Sequence, residues 1–395
     1  MDSPSSSGLV TTSSAEERLP RALSRRTALK WMALACGAQA LGACTPLRGA
    51  NELGRRARRR VAPVRVAEDR VIRQVVGLRP FRRTGFLVRA DSLDEKILIH
   101  NYGHGGGGVS LSWGTADMAA ELAMASAQRQ AAVIGSGAVG LATARLLQDR
   151  GFAVTIYARD LPPNTTSNIA GAQWSPVTVV DSELATPEFE ANFVRASRFA
   201  YRYYQNLVGS KYGITWRENF SLTSASAPPP GGGGWEATHL RDLLPRTVLA
   251  PDETPFPGFR TSRFLTMHIE PSIYLAAVLQ DFRIAGGRVV LREFADARSI
   301  VALNEPVIVN CTGLAAGKLF NDPDVLPIKG QLTVLVPQPE IDYITIGPGD
   351  LYMMPRQDGI ILGGTHERGE WSLEPNPNES ARILRGHEEL FASLG

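Results

Sequence analysis

The stretch Ala131-Ala132-Val133-Ile134, followed at once by Gly135-Ser136-Gly137-Ala138-Val139-Gly140, restricts this chain more than any other part of it. Four apolar residues in a row read as a short buried strand. Ala138 to Gly151 reads as a helix, and Ala153-Val154-Thr155-Ile156-Tyr157 as the next strand. Together they form a β-α-β unit of about thirty residues, which places the chain among the α/β folds. The glycines allow a tight turn, close approach of backbone to a pyrophosphate, and close packing of helix on strand. The helix N-terminus favours the anionic phosphates. A dinucleotide is expected here, although the motif alone does not separate FAD from NAD. About twenty residues on, an acid normally grips the ribose. Here the strand runs into Arg159-Asp160, and which of the two meets the adenosine stays open.

Length and charge narrow the remaining classes. At 395 residues the chain has room for two to three domains and a large core. Hydrophobic residues at 44% and charged ones at 21% fit neither a polytopic membrane protein nor a disordered chain. Lys and Arg number 42 against 39 Asp and Glu, and part of that excess falls in Arg55 to Arg60, so nothing asks for nucleic acid. Three cysteines, Cys36, Cys44 and Cys311, make no disulfide framework and no Cys-x-x-Cys pair.

The first 43 residues read as a removable leader. Ser24-Arg25-Arg26-Thr27-Ala28-Leu29-Lys30 is a twin-arginine pattern, and the uncharged run Trp31 to Ala43 is too short to span a bilayer of roughly 30 Å. It closes on Leu41-Gly42-Ala43-Cys44, which resembles a bacterial lipobox and makes Cys44 a lipid anchor. Twin-arginine export carries folded cofactor proteins, so the leader points to a bound cofactor and to the cell envelope, with the cytoplasm as the address if the leader is not one.

Residues 44–65 read as linker. Beyond them Val71 to Val76, Gly85 to Arg89 and Lys96 to His100 read as strands, and Thr115 to Gln128 as a helix capped by Thr115. Pro187 to Gln205 and Pro271 to Gly286 read as helices. Arg288 to Arg292, Val307 to Asn310 and Gly330 to Val336 read as strands, and Tyr352 to Pro355 pairs with Gly359 to Leu362 around a turn. Between Ser221 and Trp235 the run Ala-Pro-Pro-Pro-Gly-Gly-Gly-Gly reads as a mobile surface insertion.

Four blocks resemble the D-amino-acid oxidase family of FAD enzymes: Tyr157 to Pro176; Val307 to Gly313; Tyr352 to Arg356 with Leu362-Gly363-Gly364-Thr365; and His100-Asn101-Tyr102-Gly103-His104-Gly105-Gly106-Gly107-Gly108. In the family the last block, and the Gly-x-Arg-Pro block just before it, lie near the C-terminus. Here Gly77-Leu78-Arg79-Pro80 and His100 to Gly108 precede the dinucleotide unit, so the chain resembles a circularly permuted member. The resemblance implies a Rossmann-like FAD-binding domain (83–177 and 273–325) and an α+β substrate domain with a mixed or antiparallel sheet (66–82, 178–272 and 326–395).

The resemblance also assigns roles. Arg79 and Tyr352 hold the substrate carboxylate, and the Gly106 carbonyl accepts from the substrate amino group. A guanidinium fork does match a carboxylate with two parallel charge-assisted hydrogen bonds. The cofactor falls to Gly135, Gly137, Ala138, Val139, Gly140, Arg159, Asp160, Thr165, Thr166, Ser167, Gly171, Phe294 and Thr312, together with Gly105, Gly107, Gly108, Val109 and Ser110. His104 is not assigned as a base, because the family reaction needs none. Cys311 reads as a small buried hydrophobe. No metal is implied.

The implied reaction is hydride transfer from a D-amino acid to the flavin, with dioxygen giving hydrogen peroxide and the imino acid hydrolysing to a 2-oxo acid and ammonia. A dehydrogenase of the same fold that feeds a membrane acceptor, and a non-catalytic flavoprotein, stay open beside it. Arg356 and His366 are the cations available for an acidic side chain; without more, neutral D-amino acids are expected. The residues do not give the quaternary state, but family members often form dimers.

Overall fold

A computed structural model describes residues 60–171, 173–226 and 234–394. The leader, Cys44 and most of the Pro/Gly run lie outside the described residues. The described residues form a single compact unit built on two sheets.

The smaller sheet contains β2 (Leu87–Leu93), β3 (Lys96–Tyr102), β4 (Gln130–Ile134), β5 (Ala153–Ala158), β9 (Arg288–Leu291) and β10 (Val307–Asn310), in the order β2-β3-β10-β4-β5-β9. All its pairings are parallel except β2 with β3. Successive residues alternate between its two faces. Ile99, Val133, Ile156 and Val309 pack with the helices α1 (Gly108–Met124) and α2 (Ala138–Asp149). Leu98, Ala132, Ile134 and Ile308 pack on the other side with Phe294, Ile300 and Leu303. Cover on both faces explains why the central strands β4 and β10 are apolar runs without alternation, whereas the edge strand β2 carries Arg89, Asp91 and Ser92.

The larger sheet has nine strands: β1 (Val71–Arg82), β6 (Ile214–Ser224), β7 (Thr247–Val248), β8 (Phe259–Ile269), β11 (Val325–Leu335), β12 (Tyr343–Ile346), β13 (Tyr352–Arg356), β14 (Gly359–Gly363) and β15 (Glu367–Arg368). Its main path runs β1-β11-β14-β13-β12-β6-β8-β7, with β15 on β11. β1 lies antiparallel to β11 along its length, from Val71 opposite Leu335 to Arg82 opposite Val325. This strand runs well past the Val76 expected from sequence. The proline that ought to end it, Pro80, stands opposite Pro327, so two residues without an N–H share one rung of the ladder.

A single helical turn α3 (Thr166–Ile169) and the helices α4 (Pro187–Asn206), α5 (Pro271–Ile284) and α6 (Pro377–Ala392) complete the frame. Thr186 caps α4, its hydroxyl accepting from Phe189 N at 3.1 Å ahead of a proline at the first helical position. The start expected for α1 is wrong. The helix begins at Gly108, and Thr115 is buried inside it, its hydroxyl 2.9 Å from His104 Nε2. α6 packs on the larger sheet through Ile383, Leu390 and Phe391, and Val64 enters the same cluster.

Candidate active site

One cleft of about 1280 Å³ runs between the two sheets, larger than the roughly 300–1,000 Å³ of an ordinary small-ligand pocket. At one end lies the turn from β4 to α2. Gly135 has φ +112°, and a Cβ there would stand 2.4 Å from the Cys311 carbonyl oxygen. A Cβ on Gly140 would meet the Gly135 carbonyl oxygen at 2.2 Å, so helix and strand approach as only glycine permits. Ala138 N–H, at the start of α2, donates to Ser167 Oγ at 3.0 Å. Arg159 and Asp160 both line this end and bind each other at 2.7 Å, and Arg159 also reaches Glu293 at 3.6 Å.

The middle of the cleft is walled by the glycine run. Gly105, Gly106, Gly108, Val109 and Ser110 line it, whereas Gly107 does not and is turned inward. The run is dictated by the segment behind it. Added Cβ atoms on Gly105, Gly106 and Gly107 would strike the Thr178 carbonyl at 2.1 Å, the Val177 carbonyl at 2.7 Å and the Val179 side chain at 2.6 Å. Gly106 N–H donates to Thr178 O at 3.0 Å. His104 is buried, stacks on Phe86 at 5.4 Å, and burial lowers its pKa to about 3. A histidine so held is neutral near pH 7 and is engaged with Thr115, as a structural ring would be.

The far end is one face of the larger sheet. Cross-strand partners share a face, so the register puts Gly77 beside Gly330, and Leu332, Gly363 and Tyr352 in one row. Two glycines in this surface make room for two long side chains. A Cβ on Gly330 would fall 2.6 Å from the Arg79 guanidinium, and one on Gly363 would fall 2.1 Å from Tyr352 Cζ. Arg79 donates to Thr365 O at 3.2 Å and has no ion-pair partner among the described residues. A part-buried guanidinium left with one carbonyl retains donors for an incoming anion.

All the residues assigned from sequence to the cofactor or to the substrate carboxylate and amino group line this cleft except Gly107. Phe294 lies edge-on to Tyr157 at 6.0 Å. Thr165 and Thr312 spend their hydroxyls locally, on Asn168 Oδ1 and Asn310 Oδ1. Of the two cations considered for an acidic side chain, Arg356 is elsewhere. It grips Asp358 through two nitrogens at 2.7 and 2.8 Å and reaches the Asn168 and Ala170 carbonyls. His366 does line the cleft. Burial holds the Cys311 thiol up at about 12, so it is unreactive.

Sequence reasoning missed Gln173, Asp350, Trp371 and Leu373, which also line the cleft. Gln173 is aimed by Asn219, whose amide donates to it at 2.6 Å. No local pattern marks such residues, since the pairing of β6 with β12 and the return of the chain after β14 bring them in.

A glycine cradle at one end of a cleft and an uncommitted arginine at the other leave room in one α/β fold for a dinucleotide and a small anion. The chain belongs to the family of FAD-dependent oxidoreductases termed DAO, which matches residues 34–122 and 130–395. Its cofactor is FAD, and the chain fits it: the glycine cradle leaves space no side chain could share, and the buried Asn101 Oδ1, on the cleft wall, has no hydrogen-bond partner among the described residues. A D-amino-acid oxidase from Rubrobacter xylanophilus is 34% identical over 262 residues, covering 65% of this chain and 75% of that protein. Human D-aspartate oxidase is 28% identical over 259 residues, covering 64% and 73%. The glycine oxidase structure from Bacillus cereus superposes with a TM-score of 0.52 at 16% identity, over 68% of this chain and 79% of that one, a likeness of fold.

Proposed function

We propose that the protein is an FAD-dependent D-amino-acid oxidase, converting a D-amino acid, dioxygen and water to a 2-oxo acid, ammonia and hydrogen peroxide. The observation that carries this reading is the convergence of Arg79 and Tyr352 on one sheet face, across Gly330 and Gly363, in the same cleft as the dinucleotide cradle. The relatedness to D-amino-acid oxidases supports it.

When bound, the flavin supplies the hydride acceptor. The chain's own residues bind and orient. Arg79 holds the substrate carboxylate through its fork, and the Tyr352 hydroxyl donates to the same group. The Gly106 carbonyl, on the cleft wall, accepts from the substrate amino group. Fixing both ends of the amino acid presents Cα to the cofactor in one orientation and selects the D-isomer by geometry. No side-chain base takes part, in keeping with a His104 that is buried and neutral.

The test is hydrogen peroxide release by the purified yellow protein against a panel of D- and L-amino acids, with anaerobic flavin bleaching beside it. Peroxide with D-isomers alone is expected. Bleaching without peroxide would make it a dehydrogenase, and no bleaching by any D-amino acid would overturn the reading.

The proposal extends to the chain order. A circular permutation of the family fold requires the new ends to lie together, where a family chain would run unbroken. Val61, Ala62, Val64 and Val66 pack in one cluster with Leu390, Phe391 and Leu394, and Tyr343 Oη donates to Ala62 O at 2.6 Å, which supports that reading. The short passage from α1 to β4 supports it as well. The domain limits 83–177 with 273–325, and the remainder for substrate, follow from it. Export by the twin-arginine leader, a lipid on Cys44, an envelope location and a homodimer are proposed on the sequence alone. Fatty-acid labelling of the chain and of Cys44→Ser tests the anchor.

A further inference from the structure

Asp350 lines the cleft from the turn that leads into β13, two residues before Tyr352. Its side chain is 70% exposed, and its φ of +61° is a conformation that non-glycine residues seldom adopt. The turn is closed by Gly347 N–H donating to Leu351 O at 2.6 Å. Arg382 of α6 clasps two carbonyls, Gly349 O on this turn at 3.1 Å and Gly364 O on the loop that carries His366. The two loops are thereby held together, with His366 Nδ1 3.5 Å from the Asp350 carboxylate. Burial and the nearby Arg79 lower the pKa of His366, so near neutral pH it does not cancel the negative charge.

The neighbourhood then has a definite chemical character. Arg79 awaits a carboxylate, and Arg356, the other strong cation considered for a side chain, is committed to Asp358. Trp371 and Leu373 line the same cleft while remaining 60% and 64% exposed, an apolar surface largely open to solvent. An anionic side chain would meet Asp350 unfavourably. A side chain with an apolar stem and a cationic tip matches both the stem surface and the carboxylate.

We propose that Asp350 makes this a site for cationic D-amino acids: the α-carboxylate binds Arg79 and Tyr352, the methylenes lie on Trp371 and Leu373, and the distal ammonium or guanidinium group pairs with Asp350. This rests on the reading of the cleft as a D-amino-acid site.

Two measurements on the flavin-loaded protein separate the two levels. The first is equilibrium binding of 6-aminohexanoate and of hexanoate, followed by the perturbation of flavin absorbance. 6-Aminohexanoate is expected to bind roughly fivefold more tightly, an effect sized for a pair that stays partly solvated, and Asp350→Asn is expected to remove the difference. Asparagine keeps the volume and tolerates the positive φ. The second is the ratio of kcat/KM for D-lysine to that for D-norleucine, which is expected to fall by the same factor in Asp350→Asn. Equal binding of the two carboxylates, or a ratio that Asp350→Asn leaves in place, overturns the assignment. If no D-amino acid reduces the flavin, the oxidase reading fails, and the binding ratio still decides the role of Asp350.

Discussion

The two sheets are built by different rules. The smaller one is assembled from two local runs, the hairpin β2-β3 and the unit β4-α2-β5, with β10 and β9 brought in from later in the chain. In the larger one the strand that carries Arg79 pairs with one some 250 residues away, and the local pairs are short ones, β7 with β8, β12 with β13 and β13 with β14. In the proposed function the first sheet presents backbone to the cofactor, and the second presents side chains to the substrate. Cofactor retention and substrate recognition are thus separable by mutation.

The largest effect should come from the cradle. Gly135→Val places a side chain against the Cys311 carbonyl at a φ of +112°, and it is expected to yield a folded protein that retains no flavin absorbance after gel filtration. Next, Arg79→Ala should keep the yellow colour yet lose about a hundredfold or more in kcat/KM, because a charge-assisted carboxylate pair is removed. Flavin loss in Arg79→Ala would show that the two ends of the cleft are not independent. Gly363→Ala puts a methyl where the Tyr352 ring lies. It is expected to cost about tenfold in kcat/KM with flavin retained, and Tyr352→Phe, which deletes one hydrogen bond worth about 1 kcal/mol, only about fivefold.

The smallest effect is a pH dependence of stability. His268 on β8 and His387 on α6 are buried, and burial lowers them to about 3 and about 4. A group depressed on folding gives stability that is present above its unfolded value and lost as pH falls through the folded one. Glu270, raised to about 7 by burial, works in the opposite direction: its contribution is present in acid and lost as pH rises towards 7. His104, behind the smaller sheet, is lowered in the same way, so the fold as a whole should lose stability below about pH 6.5, measured as a falling urea midpoint. Glu270→Gln should steepen that loss, since it removes the opposing contribution.

What could be read from sequence follows the same division. The unit from Ala131 to Tyr157 was legible because its apolar runs, glycines and helical spacing are all local. α1 was started seven residues late because glycines at 105–108 weigh against helix, whereas here they are demanded by packing on Val177 to Val179. β6, β8 and α6 escaped notice altogether. β6 and β8 carry charged and polar residues such as Glu218, Asn219 and Arg263, whose places are set by the strand alongside. Arg79 and Tyr352 were found through resemblance, but nothing in the sequence shows that Gly330 and Gly363 clear the space for them.

The pairing of β1 with β11 also sets a timetable. A ribosome adding 5–20 residues per second would release the Arg79 strand roughly 12 to 50 seconds before its partner exists. During that interval a twelve-residue strand with apolar positions must wait without a mate. Newly made chains therefore depend on whatever shields them while synthesis finishes, and shortening the interval by reordering the gene should raise the yield of soluble protein more than any change inside the cleft.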